Sequence, residues 1–288
     1  MLRIVITANC LRYDIAAQLA KWLPGARIVT GTLPDPENTT ATNHLRVLLA
    51  DADLWLSMGS AEESLQILNG MSTKKPAVCR IPLIGFAAFH PDVCFAVNAE
   101  TGKATRQVFN SAIAVWAYRE SFSAKDAAAL FTAHNFKALG YFNTWDSSVT
   151  FLRDAFAASD LAEDFASFFY AVKRQGCFMQ TFNHPKPLAI ASLCRLICQR
   201  TGLQPTNQQC VEEGSSPASR LIWPVYPEIA QNLGLASGSF DWLMNGERLS
   251  GVDAYLVRTF ADYQKQGIAP HALQPLNRDL ALLDRVLQ

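Results

Sequence analysis

The stretch VITANCLRYDIAAQL, residues 5–19, decides how the chain is read. It opens as an apolar, β-branched run that ends at Thr7-Ala8. Asn9-Cys10 follows, and then Leu11, Ile15, Leu19 and Trp22 recur at helical spacing until Pro24-Gly25. A strand hands straight to a helix, with a thiol at the junction. The alternation continues outward. ARIVTG (26–31) is a second strand, and LPDPENTTATN is a turn-rich loop with Thr39 or Thr40 placed to cap a helix through Ala50. DLWLSM (53–58) is a third strand, residues 60–69 form a third helix, and PAVCRI (76–81) is a fourth strand. Strands separated by helices imply a parallel sheet with right-handed crossovers.

Further on, residues 104–119, 123–138, 146–158 and 160–174 carry apolar residues at helical spacing. CFMQTF (177–182) reads as a buried strand, NHPKP as a turn and LAIASLCRLICQR (188–200) as an apolar helix. The expected fold class is α/β: an open, mainly parallel sheet flanked by helices, with a helix-rich middle and C-terminal part. The expected organisation is a single α/β domain over 1–288, with a core in 1–200. A Gly-, Ser- and Pro-rich loop or flap fills 201–220 and a helical extension fills 221–288, its clearest helix at 251–265.

Composition narrows the function. The 25 basic and 25 acidic residues cancel, which gives no electrostatic case for nucleic acid as a partner. No apolar run reaches the roughly 18 residues of a membrane span, and the N-terminus reads as a first strand rather than a signal peptide. The seven cysteines (10, 79, 94, 177, 194, 198 and 210) are scattered without CxxC pairs. They predict neither a disulfide framework nor a metal site, and a reducing cytoplasm is the simplest setting.

Three polar junctions carry candidate chemistry. Cys10 follows a parallel strand, where open α/β sheets place ligands, and precedes a helix, whose dipole and unpaired N–H groups favour a thiolate or an anion. Against this stands the ordinary role of cysteine as a packing residue. In TFNHPKP, His184 occupies a matching strand-to-helix junction and suits a general base, whereas Asn183 reads first as a helix cap. In GFAAFHPDVCFAV (85–97), His90 and Asp92 flank a proline. They make either a rigid turn with Asp92 accepting backbone N–H bonds, or a pair that orients a catalytic group or a sugar hydroxyl. Arg12 is either a solvated charge or a phosphate contact. MGSAEES (58–64) lacks the spacing of a nucleotide loop.

Together, ANC (8–10), FHPD (89–92), FNHP (182–185) and the block TWDSSVTFLRDAFAASDLAEDFASFFYAVKRQGCFMQTFNHP (144–185) resemble the WcbI-like family of polysaccharide-biosynthesis acetyltransferases. A weaker echo lies in WPVYPEIAQNLGL (223–235). The resemblance implies binding of coenzyme A and transfer of an acyl group, acetyl first, to a sugar hydroxyl of a capsular or surface glycan. It also implies an active-site layout similar to the SGNH hydrolases, with cysteine in place of serine. On that mapping the catalytic candidates are Cys10 as nucleophile, His184 and His90 as bases, and Asp92. The cofactor contacts are Asn9, Leu11, Arg12 and Asn183, with helix-start amides stabilising an oxyanion or pyrophosphate. Ala8 and Leu11 stand where the usual motif has glycine and glutamine. Two other readings use the same residues: a cysteine thioesterase or glycan deacetylase, and a non-catalytic binder of coenzyme A or a sugar nucleotide. Whether the chain assembles as a homo-oligomer leaves no trace in the sequence.

Overall fold

The computed structural model describes residues 1–34, 38–211 and 221–288. The chain divides into two compact units interleaved in sequence. The first takes residues 1–85, 149–179 and 184–219, and the second 86–148, 180–183 and 220–288. The single domain expected over 1–288 is thus two separately packed cores. No helix among the described residues is long and apolar enough to cross a membrane.

The first unit is built on strands β1 (Arg3–Thr7), β2 (Arg27–Gly31), β3 (Leu54–Ser57) and β4 (Ala77–Arg80), all parallel, in the order β2-β1-β3-β4. Helices α1 (Leu11–Trp22), α2 (Thr39–Leu49) and α3 (Ala61–Asn69) make the crossovers. Parallel strands covered on both faces read as continuous apolar runs, and Ile4, Val5 and Ile6 are indeed fully buried. Val5 and Trp55 pack against Leu45, Leu49 and Ile67 of α2 and α3. Ile4 and Ile6 alternate to the opposite face. Thr7, the last residue of β1, uses its hydroxyl to accept the Trp55 indole N–H at 2.8 Å inside this core.

Local chemistry sets the helix ends. Asn38, rather than the expected Thr39 or Thr40, caps α2 by accepting the Ala41 N–H at 3.0 Å. Ser60 and Glu63 form a reciprocal capping box on α3. Arg80 closes β4 by donating from two guanidinium nitrogens to Asp160 Oδ1, while Asp160 Oδ2 accepts the Arg80 backbone N–H.

The helix Pro187–Thr201 packs against α1 and stops at Gly202, which adopts a left-handed φ of 71°. The chain then runs back along α1. Thr206 N–H donates to Trp22 O, the carbonyl of Gln209 accepts from the Trp22 and Gln18 side chains, and Val211 N–H donates to Gln18 Oε1. Residues 203–211 of the expected flap are therefore fastened to α1, while 212–220 lie outside the described residues. These bonds fasten the segment after Gly202 to the C-terminal half of α1.

The second unit departs most from the sequence reading. Its strands are antiparallel: Val93–Asn98 pairs with Leu273–Leu276, Lys103–Ala104 and Asn110–Ser111. Asp241–Met244 and Glu247–Ser250 form a hairpin that also pairs Leu221–Ile222. The expected helical extension over 221–288 thus contains strands as well as the helix Val252–Lys265. The helix read over 104–119 spans only Ala112–Arg119, because the preceding residues join the sheet. Trp242 stacks on Tyr255 with ring centroids 4.3 Å apart, and Trp223 and Tyr226 pack edge-on to Trp242.

Asp92 sits at the centre of this unit with no solvent exposure. Its Oδ1 accepts the Tyr141 hydroxyl at 2.8 Å and the Ile113 N–H at 3.2 Å, and its Oδ2 accepts the Tyr226 hydroxyl at 2.7 Å. Arg278 donates to the carbonyls of Pro91 and Val93 on either side. This corrects one expectation: both oxygens of Asp92 are engaged inside the core, which leaves it nothing to offer a sugar hydroxyl. It ties three distant segments together instead. Asp92→Ala strands three buried donors and should destabilise the protein by at least ~3 kcal/mol in urea unfolding followed by tryptophan fluorescence. Tyr141→Phe and Tyr226→Phe, which each delete one bond to the carboxylate, should cost about 1.5–3 kcal/mol apiece.

Candidate active site

The strand order reverses at β1. The chain moves outward to β2 and then crosses back to β3 on the other side of β1. In open α/β sheets the helices diverge at this point, which opens a crevice at the carboxyl ends of the strands. Cys10 stands there, three residues beyond the end of β1 and immediately before α1. The β3 loop borders it, since Met58 N–H donates to Thr7 O at 2.9 Å.

Exposure separates Cys10 from the other thiols. All seven cysteines are reduced, and Cys10 alone is exposed. Burial pushes the Cys79 thiol up to about 12 and the Cys198 thiol up to about 11, and raises those of Cys94, Cys177 and Cys194. Those sulfurs stay protonated and poorly nucleophilic; their surroundings are those of packing residues.

The start of α1 differs from the expected cradle of free amides. Asn9 Oδ1 accepts the Leu11 N–H at 3.0 Å, and the N–H groups of Arg12 and Tyr13 donate to the carbonyls of Asn9 and Cys10. The anticipated oxyanion donors are thus already used. Leu11, expected at the cofactor, is 1% exposed and points into the core, with its amide held by Asn9. That expectation is corrected. Arg12 folds back, donating to the carbonyls of Ala8 and Asn9 at 2.9 Å each, while its guanidinium lies 4.4 Å from the centroid of the Tyr13 ring. It braces the strand-to-helix turn and leaves the Cys10 side open.

His184 belongs to the same unit. It begins a two-residue strand, His184–Pro185, where the sequence suggested only a turn. Lys186 then occupies the N-cap of the helix Pro187–Thr201 without a side-chain bond, so neither Asn183 nor His184 caps it. Asn183 instead accepts the Thr181 hydroxyl at 3.1 Å and steadies the preceding turn. His184 is half-buried, and burial lowers its pKa below the ordinary histidine value. The imidazole is therefore neutral at neutral pH, the form a general base requires. α1 and the helix Pro187–Thr201 pack against one another, with Cys10 immediately before the first and His184 three residues before the second.

His90 lies in the second unit, 2% exposed, beside a cavity of about 140 Å³ that Cys94, Phe95, Phe182 and Arg278 also line. Sequence reasoning named both His90 and His184 as base candidates and built its mechanism on His184. The two lie in different units and differ in exposure, and the apolar run after His90-Pro91-Asp92 was the one cue that this corner leads into a core strand.

Comparison with known proteins bears on this geometry. No curated protein matches the chain. A solved structure of WcbI, described as a novel polysaccharide biosynthesis enzyme in its native form without a disulfide between coenzyme A and a cysteine, aligns over 99% of this chain and 94% of its own. The TM-score is 0.71 at 13% sequence identity, a level at which the likeness speaks for the fold. A family model described as polysaccharide biosynthesis enzyme WcbI matches residues 3–206, a span that includes every junction considered above. The chain therefore belongs to the WcbI family of polysaccharide biosynthesis enzymes.

Proposed function

We propose that this protein is an acyl-CoA-dependent O-acyltransferase that moves an acyl group, acetyl in the first instance, to a sugar hydroxyl during assembly of a surface or capsular polysaccharide. The observation that carries the reading is Cys10: the one exposed thiol, at the carboxyl end of the strand where the sheet order reverses. The WcbI neighbour supports it, since a disulfide between coenzyme A and a cysteine is considered for that protein.

In this reading the neutral His184 imidazole takes the Cys10 proton, and the sulfur attacks the thioester carbonyl. The carbon–sulfur bond to coenzyme A breaks, and the departing thiolate recovers the proton from His184. The acceptor hydroxyl then gives its proton to His184 and attacks the acyl-cysteine. Cys10 leaves as a thiolate and is reprotonated. One thioester replaces another in the first half, so that step is nearly balanced in free energy. Because α1 has its early amides occupied, the carbonyl oxygen must find other donors around Cys10. A reducing cytoplasm suits the reading, as an exposed nucleophilic thiol stays reduced there.

Incubation with acetyl-CoA should add one acetyl group to the intact protein, at Cys10, and Cys10→Ala should show no adduct and no transfer. Absence of the adduct in a wild-type protein that still acetylates sugar would overturn the covalent route. Equal release of free coenzyme A with and without sugar would mark a thioesterase instead. Removal of the base in His184→Gln should lower kcat by roughly 10²- to 10⁴-fold. Since burial lowers the His184 pKa, the base stays neutral to lower pH than an ordinary histidine. The acid limb of kcat/KM should therefore lie below about pH 6.5, and a limb above that value would sink the assignment of His184.

A further inference from the structure

We infer that Asn9 is a catalytic residue: its Nδ2 amide hydrogen-bonds the oxyanion that develops when Cys10 takes on or gives up an acyl group. The assignment deepens the transferase reading and rests on it only in requiring an acyl group on the sulfur. Acyl transfer passes through a tetrahedral intermediate. As the bond from Cys10 Sγ to the acyl carbon forms, the carbonyl π pair moves onto oxygen. When that pair returns, the bond to the coenzyme A sulfur breaks and the departing thiolate takes the proton back from His184. The oxygen carries a negative charge in between, and a fixed donor beside it lowers the barrier.

The other donors at this turn are spent. The Leu11, Arg12 and Tyr13 N–H groups are bonded within the turn, and the Arg12 guanidinium donates to the Ala8 and Asn9 carbonyls and to the Tyr13 hydroxyl. Asn9 differs, because the bond that closes the helix start also orients its side chain. Asn9 Oδ1 accepts the Leu11 N–H at 3.0 Å. Only the oxygen of a carboxamide can receive an N–H, so this bond fixes how the group is turned and leaves Nδ2 on the side away from Leu11. Nδ2 donates to no described residue. Asn9 and Cys10 are both exposed, whereas Ala8 and Leu11 on either side are 3% and 1% exposed. The turn therefore presents a primary amide and a thiol outward from consecutive Cα atoms, about 3.8 Å apart. The acyl oxygen lies two bonds beyond the sulfur, within the span of an amide on the preceding residue.

Residue type supports the same role. Closing the helix start does not by itself call for asparagine, since serine, threonine or aspartate would accept the Leu11 N–H as well. A serine or threonine hydroxyl, held on that N–H, is too short to reach past the turn. Aspartate would set a carboxylate beside a sulfur that must carry negative charge. Asparagine closes the turn with one end of its amide and keeps an uncharged donor at the other.

Two reactions of Cys10 on the full chain test the inference. Acetylation by acetyl-CoA or by p-nitrophenyl acetate, followed by intact-mass spectrometry, passes through an oxyanion. Alkylation by iodoacetamide, which displaces iodide at a saturated carbon, does not. Asn9→Ser and Asn9→Asp each keep an oxygen for the Leu11 N–H while removing the amide donor. In both, the ratio of the acetylation rate to the alkylation rate should fall about 10²- to 10³-fold, the effect of one oxyanion donor. The loss should sit in the maximal acetylation rate and spare the half-saturating concentration of acetyl-CoA, because the ground-state thioester carries no such charge. Asn9→Ser should melt with the wild type. An unchanged ratio overturns the inference, whether both rates hold or both fall together, and so does a loss confined to the half-saturating concentration. Acetylation by p-nitrophenyl acetate but not by acetyl-CoA would remove the transferase reading and leave the ratio to decide Asn9. If neither reagent acetylates Cys10, both fall.

Discussion

The first unit depends on one burial constraint: β1 must be covered on both faces and paired on both edges. Ile4, Val5 and Ile6 expose no surface to water, and Thr7 can be buried only because Trp55 donates to its hydroxyl. A strand of this kind belongs in the middle of a sheet, between β2 and β3, with helices on each side. With right-handed crossovers, placing the first strand in the middle makes the order reverse there. The crevice at its carboxyl end follows from that reversal, and so does the exposure of Cys10. The position of Cys10 is thus a topological consequence of one fully buried strand.

This is also why the N-terminal third was legible in the sequence. Each switch from period 2 to period 3.6 there is local, and β1 to β4 with α1 to α3 fall within a few residues of their expected bounds. The second unit was opaque because its pairings are distant. Val93–Asn98 finds its partner at Leu273–Leu276, and nothing near either strand announces the other. One local signal was available. Asn245 and Gly246, with φ of 54° and 88°, form the Asn-Gly turn that such hairpins favour, between Asp241–Met244 and Glu247–Ser250. An Asn-Gly pair flanked by short apolar runs marks a hairpin even where the surrounding composition reads as helix.

The candidate site was legible by position but not by role. Cys10 and His184 were identifiable because each follows a strand and precedes a helix. Asp92 met a comparable criterion and belongs to the core. In sequence, a carboxylate beside a proline looks the same whether it faces a substrate or two tyrosines. Its partners stand 49 and 134 residues away, beyond the reach of any local pattern. Leu11 was misplaced for a simpler reason. The first residue of a helix can face either way, and α1 turns this one inward to join Ile15 and Leu19. The hydrocarbon that stands where the family motif has glutamine therefore serves packing.

The bonds around Cys10 bear on what kind of thiol it is. A cysteine activated mainly by a helix terminus needs that terminus open, yet Asn9 occupies the first amide and the next two donate to backbone carbonyls. Arg12 lends no direct contact to the sulfur, since its guanidinium is drawn back onto Ala8 and Asn9. The turn is therefore built to hold the thiol outward. The proposed mechanism requires a base that arrives neutral, and burial lowers the pKa of the His184 imidazole in that direction. That mechanism asks for both features together: a turn that fixes where the sulfur stands, and a histidine that burial keeps neutral to lower pH than an ordinary one.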